Sequence, residues 1–448
     1  MSDKFDEFVE TKLGRFTSDW HIVKFGDIYP SLTTGSTPSR SKPEYFQGDI
    51  LWVTSGELKY NVICDTWEKL TSQAVRDTNL RLYPPGTFFI AITGLEAAGT
   101  RGSCAIIGKE ATTNQSCMAF VANDRIDTNF LFQFYRCFGE AVAFTYSQGT
   151  KQQSLNGNIV RSIEIPLPPL PQQRKIARIL TTVDNLIEKT EALIAKYQAI
   201  KQGIMHDLFT RGVDEHGHLR PPYEEAPELY KQSELGWIPK EWNCVSVASH
   251  VDLQHGYQFR DYDFVPNGIP VIKIGNVTSQ GLDLGQLTYI GSERLNEFQR
   301  VIINNGDVLM SLTGNIGRVV EVGGLTSPVL QNYRVGKFVP HRPELTHRFM
   351  KHILSSGSIF SQLDKYANQS AQANFGKQDL ERLSMPLPNS CDEQNAICSF
   401  IESMATSINI EQVTLLKLCT LKTGLMQDLL TGKVRVKVDE AKEVAAHD

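Results

Sequence analysis

The sequence predicts an α+β protein that is built as an internal repeat of two globules with curled β-sheets and two long helices. Three observations predict it: a coiled-coil pattern over residues 172–213, a second copy of that pattern over residues 394–434, and short β-rich runs in the segments that precede the two patterns. The chain is therefore one structural unit that occurs twice.

The first pattern, in residues 172–213, predicts a single long helix. Its apolar or apolar-compatible residues recur in alternating steps of three and four, which is the spacing of a coiled-coil seam. About 40 residues at roughly 1.5 Å each give a rod of about 60 Å, and such a helix needs a partner to cover its apolar stripe. The seam consists of Ile176, Ile179, Val183, Leu186, Thr190, Leu193, Tyr197, Ile200 and Ile204.

The second pattern, in residues 394–434, supplies that partner within the same chain. Its end, GLMQDLLTGKV, matches GIMHDLFTRGV at the end of the first pattern. The offset is 221 residues at both ends of the pattern (397 − 176 and 424 − 203), so neither helix has gained or lost a residue. The matching seam consists of Ile397, Phe400, Met404, Ser407, Glu411, Thr414, Leu418, Leu421 and Leu425.

The globules are predicted from short apolar runs between turn residues. In the first globule the runs cover residues 49–55, 87–94 and 104–108, and a helical pattern over residues 128–147 follows them. The second globule repeats this order, since residues 305–314 match residues 85–94 at an offset of 220. The loops differ almost everywhere, which indicates one scaffold with two surfaces that recognise different things.

Proline-rich straps at residues 165–173 and 385–394 connect the globules to the helices, because proline fixes φ and removes backbone donors. We expect residues 1–19 to form a short polar helix or an arm. The predicted boundaries are an arm at 1–19, a first globule at 20–170, a first long helix at 171–213, a connector at 214–241, a second globule at 242–390, a second long helix at 391–434 and a tail at 435–448.

Composition narrows the class of protein. The 448 residues have 41% hydrophobic side chains and a net charge of −5, which is typical of a soluble protein with two to four domains. No run of about 18 apolar residues and no signal peptide is present, so we expect a cytoplasmic protein. The eight cysteines include no CxxC pair, and His216 and His218 lack a second ligand pair. We expect no disulfide framework and no metal site.

Motifs for catalysis are absent or incomplete. No GxxxxGK[ST] phosphate loop occurs. The segment RPPY (220–223) is similar to the Asp/Asn-Pro-Pro-aromatic signature of amino-methyltransferases, but Arg220 has no hydrogen-bond acceptor to polarise an amino group. We therefore expect no catalytic and no cofactor-binding residue in this chain.

Polar loops at matching places in the two globules are candidates for contacting DNA. Gln and Asn amides match an adenine edge, and Arg gives the commonest contact to guanine. A polar cap, a β-turn and a solvated loop remain the alternatives. The candidate DNA-binding residues are Ser39, Arg40, Lys42, Arg101, Lys151, Gln152, Gln153, Tyr257, Gln258, Arg260, Asn315, Arg318, Gln369, Gln372 and Asn374.

Several of these segments together resemble one known family, the DNA-specificity subunits of type I restriction-modification systems. The resemblance covers residues 20–434. It rests on the order, spacing and duplication of QQRKIARIL and EQNAICSFI after the straps, the junction GTKQQSLNGNIVRSIEIPLPPLPQQ, the entry ELGWIPKEW and the helix ending GIMHDLFTRG. Two features depart from the usual pattern: Gln172 stands where the family often has Glu, and the second strap breaks the Pro-Pro-Leu run.

The resemblance implies a fold and a function. Two target-recognition domains would be separated by two antiparallel helices with pseudo-twofold symmetry, and each domain would read half of a split double-stranded DNA target, with the helix length setting the gap. Two modification subunits would bring S-adenosylmethionine and methylate adenine N6, and two restriction subunits would add ATP- and Mg-dependent translocation and cleavage. The alternatives from other classes are a single-chain DNA methyltransferase and a coiled-coil scaffold that does not bind DNA.

Overall fold

The structure is a computed structural model, and it describes residues 8–95, 99–149, 153–278, 281–367 and 375–438. The chain forms two compact units. Unit 1 comprises Met1–Glu191 and Val413–Asp448, and unit 2 comprises Ala192–Gln412. Each unit thus contains one globule and parts of both long helices.

The two long helices that the sequence predicts are confirmed as α5 and α9. The helix predicted over residues 128–147 is confirmed as α3, whereas unit 2 has two shorter helices, α6 and α7, in the corresponding place. The helices are α1 Phe25–Ile28, α2 Ser72–Asp77, α3 Thr128–Tyr146, α4 Gly157–Ser162, α5 Leu170–Thr210, α6 His347–Leu354, α7 Gly357–Ala367, α8 Lys377–Glu381 and α9 Cys391–Leu429.

Unit 1 is built around a five-stranded sheet of order β4-β11-β8-β9-β6 and a three-stranded sheet of order β10-β5-β7. The pair β3–β12 joins the start of the globule to the first strap, and β1–β2 is a hairpin. The strands are β1 Phe8–Thr11, β2 Gly14–Thr17, β3 His21–Lys24, β4 Thr33–Thr34, β5 Ile50–Val53, β6 Asn61–Ile63, β7 Lys69–Leu70, β8 Phe88–Ala91, β9 Cys104–Ile107, β10 Ala111–Thr113, β11 Cys117–Phe120 and β12 Glu164–Leu167.

Unit 2 repeats this plan with a four-stranded sheet of order β16-β26-β23-β24 and a five-stranded sheet of order β17-β21-β18-β25-β22. The pair β15–β27 and the hairpin β13–β14 correspond to β3–β12 and β1–β2. The strands are β13 Tyr230–Ser233, β14 Gly236–Pro239, β15 Asn243–Ser246, β16 Val251–His255, β17 Phe264–Val265, β18 Ile269–Ile272, β19 Val277–Thr278, β20 Gly281–Leu282, β21 Thr288–Ile290, β22 Ile302–Ile303, β23 Val308–Ser311, β24 Val319–Glu321, β25 Val329–Gln331, β26 Val335–Pro340 and β27 Ser384–Leu387.

Within the described residues, the helix expected as one alternative for the start of the chain is wrong, since residues 8–17 form the β1–β2 hairpin. Gly14 has a φ of 118°, which favours glycine, and the Thr11 hydroxyl donates to its carbonyl at 2.9 Å. The second hairpin, inside the expected connector, turns in the same way at Ser233 and Gly236. Phe16, in the second strand of this hairpin, is fully buried.

A buried glutamine at the start of each long helix ties the strap to the globule. Gln173 donates through Nε2 to the carbonyl of Pro168 at 2.8 Å and accepts through Oε1 from the amide of Asp127 at 2.8 Å. Asp127 is the residue that caps α3, because its carboxylate accepts from the amide of Phe130. One amide side chain therefore fixes the strap and the entry to a globule helix at the same time.

Unit 2 repeats this arrangement with Gln394. Its Nε2 donates to the carbonyls of Pro388 at 3.0 Å and Glu344 at 2.6 Å, and its Oε1 accepts from the amide of Thr346, the residue that caps α6, at 2.9 Å. Both glutamine side chains are essentially inaccessible to water.

The two long helices run antiparallel within each unit. In unit 1, Ile176 and Leu180 of α5 share a core with Leu429 of α9 and with Leu430. In unit 2, Leu208 and Phe209 of α5 share a core with Ile397 and Ile401 of α9. The start of α5 thus packs against the end of α9 in unit 1, and the end of α5 packs against the start of α9 in unit 2. The antiparallel pairing that the repeat predicts is therefore confirmed in each unit.

Candidate nucleic-acid interface

The candidate residues of unit 1 come from loops at one end of the five-stranded sheet. The antiparallel register places Cys117 opposite Ala91 and Met118 opposite Thr34, so the loops after β4 and β8 and the loop before β11 lie at the same end. β9 begins at this end too, because it is antiparallel to β8. We call these loops the loop end of unit 1; in the described residues they are 35–49, 92–95, 99–103 and 114–116.

Arg40 is held at this loop end by an acid and two aromatic rings. Its Nη2 lies 2.8 Å from Glu68 Oε2, and its guanidinium lies over the rings of Phe46 and Trp52, 4.3 Å and 5.5 Å from their centroids. The hydrogen bond from Arg40 lowers the pKa of the Glu68 carboxyl. Both terminal nitrogens of Arg40 pair with the two carboxylate oxygens of Glu68, so a guanine edge or a phosphate would have to displace Glu68 to take the same bidentate face.

Ser39 and Lys42 flank Arg40 on the same exposed loop. The Ser39 hydroxyl lies 2.8 Å from the Ser41 hydroxyl, and the Lys42 ammonium donates to the Tyr45 hydroxyl at 2.7 Å. The structure therefore brings the three residues predicted from loop 33–45 together on one surface.

Arg101 and Gln153 also meet at the loop end of unit 1, because both form hydrogen bonds to the backbone of Leu95. Arg101 Nε donates to the carbonyl of Leu95 at 2.8 Å, and the amide of Leu95 donates to the carbonyl of Gln153 at 3.2 Å. The Arg101 side chain is only 28% exposed. Part of its hydrogen-bonding capacity thus orders the loop itself. Lys151 and Gln152 lie outside the described residues.

Unit 2 presents its candidates at the corresponding end of its four-stranded sheet. The register places His255 opposite Gly336 and Ser311 opposite Val335, which puts the loops after β16 and β23 at one end. The chain returns to these ends at Leu155 in unit 1 and at Phe375 in unit 2. The amide of Leu155 donates to the carbonyl of Ile92, and the amide of Phe375 donates to the carbonyl of Leu312, both at 2.8 Å. We call the loops 256–263, 312–318 and 332–334 the loop end of unit 2.

The residues predicted from loop 254–264 are exposed at this loop end. The Tyr257 side chain is 46% exposed, and its ring lies 4.9 Å from the rings of Phe259 and Phe298. Gln258 and Arg260 are exposed as well. The loop thus offers an aromatic platform, an amide and a cation side by side, and these are the groups that bind base edges and phosphates.

Asn315 and Arg318 occupy the loop between β23 and β24. The Asn315 carbonyl accepts from the Ser311 hydroxyl at 2.6 Å, and its side chain is exposed. Arg318 is partly buried, and its Nη1 donates to the carbonyl of Val277 at 3.3 Å. Like Arg101, it is engaged by a backbone carbonyl. Gln369, Gln372 and Asn374 lie outside the described residues.

Two exposed aromatic residues near these loops were missed by the sequence analysis. Trp67 is 72% exposed beside Glu68, with the Lys59 ammonium 5.4 Å above its ring. Tyr262 is 86% exposed in the short helical turn that follows Arg260. A signal was available, since both are large aromatic residues within short polar segments, DTWEK and RDYD.

The segment RPPY has a structural role. The Arg220 side chain is 11% exposed and forms an ion pair with Glu393 of α9, while its Nη2 lies 3.0 Å from Glu241 Oε2. Glu393 also accepts from the indole nitrogen of Trp242 at 3.1 Å. In unit 1 the equivalent acceptor is the neutral Gln172, which accepts from the indole nitrogen of Trp20 at 3.3 Å. The departure at Gln172 thus leaves the tryptophan contact in place.

No group of three or more His, Cys, Asp and Glu side chains in the described ranges is arranged to hold a metal ion. Among the same residues, none of the helices combines the length and the apolar character that crossing a membrane requires.

Comparisons with known proteins agree with the internal repeat. The sequence model of the family described as type I restriction modification DNA specificity domain matches twice, at residues 17–198 and 239–418. The MjaVIII specificity subunit of a type I restriction enzyme from Methanocaldococcus jannaschii is 26% identical over 439 residues, which is 97% of each chain. The EcoBI specificity subunit of Escherichia coli is 23% identical over 64% of this chain and 61% of its own length.

Solved structures share the fold. The S subunit of a type I restriction-modification system from M. genitalium superimposes with a TM-score of 0.55 at 13% identity, covering 92% of this chain and 96% of that one. A chain from a study of complex assembly and conformational transition of the type I R-M system superimposes with a TM-score of 0.51 at 16% identity, covering 94% and 99%.

Proposed function

Because the chain belongs to the family of type I restriction-modification DNA specificity subunits, we propose that it selects a bipartite DNA target, with one half-site read by each unit. The observation that carries this proposal is the double match of the family, which falls on two units with the same frame and different loops at the same sheet end. A frame that stays constant while its loops vary suits two surfaces that read two sequences.

The chain acts as a non-catalytic subunit of a larger complex. We propose two modification subunits, which bind S-adenosylmethionine and methylate adenine N6, and two restriction subunits, which use ATP and Mg for translocation and cleavage. This chain would hold no cofactor of its own.

The two loop ends are the proposed DNA-contacting surfaces. In unit 1, Arg40 would contact a guanine edge by exchanging Glu68 for the base, while Ser39 and Lys42 would contact phosphates. In unit 2, Gln258 and Arg260 would take the same roles beside Tyr257. The other proposed contacts are Arg101, Lys151, Gln152, Gln153, Asn315, Arg318, Gln369, Gln372 and Asn374.

Trp67 and Tyr262 extend these surfaces by offering apolar contact to a thymine methyl group. The net charge of −5 does not oppose the proposal, because the partner subunits can supply many of the phosphate contacts on which affinity depends.

An exchange of one globule tests the proposal. Residues 20–165 are replaced by the same segment of another specificity subunit with a known target, and the chimaera is produced with its modification partner in a host without other methylation. Single-molecule methylome sequencing should show one half-site changed to that of the donor and the other unchanged. The reciprocal exchange of residues 242–385 is the matched control and should change only the other half-site.

Other outcomes would contradict the proposal. A chimaera that changed both half-sites would show that the units do not read separately. Methylation by the purified chain alone would establish the single-chain methyltransferase alternative. A complex with the modification subunit that retained DNA without sequence preference would favour the scaffold alternative.

A further inference from the structure

Glu68, the acidic partner of Arg40, lies at the loop end of unit 1. In the three-stranded sheet, β7 runs antiparallel to β5 with Lys69 opposite Leu51, and β10 runs parallel to β5 with Thr113, its last residue, opposite Val53. The residues just before β7 and the loop just after β10 therefore lie at the same end of this sheet. Since the loop after β10 belongs to the loop end of unit 1, Glu68 lies there as well.

The backbone that carries Glu68 is fixed by buried polar contacts. The buried carboxylate of Glu57 accepts from the amide of Trp67 at 2.8 Å. The Thr66 hydroxyl donates to the carbonyl of Glu68 at 2.7 Å and accepts from the amide of Trp52 at 3.3 Å. The position of the Glu68 carboxylate is thus set by the fold, as is required of a side chain that reads a base.

The carboxylate of Glu68, unlike its backbone, can exchange its partner. In the described residues its hydrogen bonds all come from Arg40, and the side chains are 36% and 57% exposed. In unit 2, Asp263 also pairs with an arginine, Arg294, but its side chain is 8% exposed and it accepts from the amide of Arg260 as well. That carboxylate closes a turn. An exposed ion pair changes an equilibrium by at most about fivefold, so a ligand that binds both groups can separate Arg40 from Glu68.

One base pair offers partners for both groups. In the major groove guanine presents two acceptors, N7 and O6, and the N4 amino group of its cytosine lies beside them as a donor. Arg40 would donate to guanine while Glu68 accepts from cytosine. With thymine in place of guanine, the guanidinium meets one acceptor and a methyl group. The two remaining orientations place an amino donor against the guanidinium.

A phosphate offers acceptors only. It can bind Arg40, but it leaves the Glu68 carboxylate next to a second anion. Glu68 therefore disfavours the contact that every DNA sequence offers, and such a repulsive element raises specificity without a new attractive contact.

We propose that Glu68 is a specificity-determining residue of unit 1. Together with Arg40 it reads one G·C pair, with Arg40 on the guanine and Glu68 on the cytosine, and it keeps Arg40 from the phosphates of other sequences. This inference rests on the proposed function, because it assumes that the loop end of unit 1 faces the major groove. It requires a G·C pair in the half-site that the globule exchange assigns to unit 1.

The test measures equilibrium binding by the full chain in complex with its modification subunit. The duplexes carry the mapped target or a single substituted pair at each position of the unit 1 half-site. Arg40→Ala should lower the selectivity for one G·C pair by about tenfold to a hundredfold, which is the range for a bidentate contact. Glu68→Ala should lower the selectivity at the same pair by about threefold or more and leave the other positions unchanged.

DNA without the target supplies the second measurement. Glu68→Ala should bind it about threefold more tightly than the wild type, since Arg40 becomes free to contact a phosphate. The slope of log affinity against log salt should become steeper by about 0.9, the value for one added phosphate contact. A loss of loop support alone would weaken binding to this DNA instead.

Two further variants separate the roles of Glu68. Glu68→Gln keeps an acceptor oxygen but removes the charge, so it should keep most of the selectivity at the G·C pair and still bind DNA without the target more tightly. Asp65→Ala is the matched control, because Asp65 lies in the same segment and pairs with Lys69 at 2.8 Å. It removes an equal charge and should leave the selectivity at that pair unchanged.

Three results would overturn the proposal. They are a unit 1 half-site without a G·C pair, an unchanged selectivity in Glu68→Ala, and a loss of affinity in Glu68→Ala that is the same for every duplex. The wild type should retain its bipartite target in the same assay, so this inference can fail while the proposed function holds. A wild-type complex without sequence preference would instead contradict the proposed function.

Discussion

Asp184 of unit 1 and Glu402 of unit 2 show how the two repeats solve one packing problem differently. Asp184 on α5 accepts from Gln133 and Arg136 of α3 at 2.7 and 2.9 Å and pairs with Lys422 of α9. In unit 2 the residue at the place of Asp184 is Ala405, at an offset of 221. The acidic residue that takes its role in unit 2 is Glu402, which lies on α9 one turn before Ala405.

Glu402 pairs with the helix α6 of its own unit. It lies 2.6 Å from Arg348 and 3.1 Å from His352. Hydrogen bonds from Arg348 and His352 lower the pKa of the Glu402 carboxyl to about 2, against the cost of its partial burial. The carboxylate has thus moved along the helix while the contact between a long helix and a globule helix has remained.

The comparison separates two kinds of contact. An ion pair at the edge of a helix contact tolerates a shift of one turn, because long side chains reach several partners. Gln173 and Gln394 have not moved, because each closes backbone hydrogen bonds of fixed position and direction. The constant part of the repeat should therefore be the more sensitive part to mutation.

The largest effects are expected at two equivalent glycines, which open the loops after β4 and β16 and occur at the same place in both units. A Cβ atom at Gly35 would lie 1.5 Å from the carbonyl oxygen of Thr113, and one at Gly256 would lie 2.3 Å from that of Gln331. Gly35→Ala and Gly256→Ala should each lower the free energy of unfolding of their unit by about 3–5 kcal/mol, Gly35 the more, because the backbones must separate. Hydrogen exchange in each unit measures the loss.

Gly203→Ala in α5 is the control for these glycines. A Cβ atom there meets nothing within 4 Å, so alanine should stabilise the helix by up to about 1 kcal/mol. Tolerance of alanine at both Gly35 and Gly256 would show that the close approach of these backbones is not a fixed feature of the repeat.

Intermediate effects are expected at the two glutamines. Gln173→Met keeps the length of the side chain but leaves the amide of Asp127 and the carbonyl of Pro168 without partners, which should cost about 2–4 kcal/mol. Gln394→Met should cost the same in unit 2. Urea denaturation followed separately in each unit by hydrogen exchange measures both, with exposed Gln198→Met as the control. If the losses of stability in Gln173→Met and Gln394→Met differed by more than this expected loss, the two glutamines would not be equivalent.

Much of the fold could be predicted from the sequence, because periodic apolar patterns report helices and strands directly. The long helices, the β-rich runs and α3 followed from such patterns, and the offset of 221 gave the pairing of the helices within each unit. The β1–β2 hairpin was not predicted, because its strands are only four residues long and half of their residues are exposed. The break after Leu354 escaped because its cause, a serine-rich turn, resembles an ordinary helix surface.

The candidate site could be predicted only as a set of loops. The sequence predicted which segments are loops, because a loop must follow a strand, but it did not predict that these loops meet at one end of each sheet. What Arg101 and Arg318 bind within the protein could not be predicted, since a guanidinium that donates to a backbone carbonyl leaves no pattern in the sequence. Glu68, the acidic partner of Arg40, is 28 residues away along the chain, and only folding brings the two together.

The smallest effects, of opposite sign, are expected at two equivalent lysines. Lys422 and Lys201 are 221 residues apart, but Lys422 faces Asp184 whereas Lys201 has Ala405 at that place. Burial and the charge of Lys351 lower the pKa of Lys201. Because the folded protein binds this proton less tightly than the unfolded chain does, the charged form of Lys201 lowers the stability of the fold. This loss is absent above the ordinary lysine pKa of about 10.4 and is complete once the pH has fallen below the lowered value.

At neutral pH the charge of Lys201 should therefore destabilise unit 2. Lys422→Met should lower the free energy of unfolding of unit 1 by about 1–2 kcal/mol, because it removes one partner of Asp184. Lys201→Met should raise that of unit 2 by about 0.5 kcal/mol, since partial exposure screens the repulsion. Ala405→Asp should also stabilise unit 2, because it gives Lys201 the partner that Lys422 has. In both variants the gain in stability over the wild type should shrink as the pH rises toward 10, because Lys201 of the wild type then loses its charge. Denaturation midpoints at pH 7 and at alkaline pH measure this, and a loss of stability in Lys201→Met would show that the lysine has a favourable partner and that the two sites are equivalent after all.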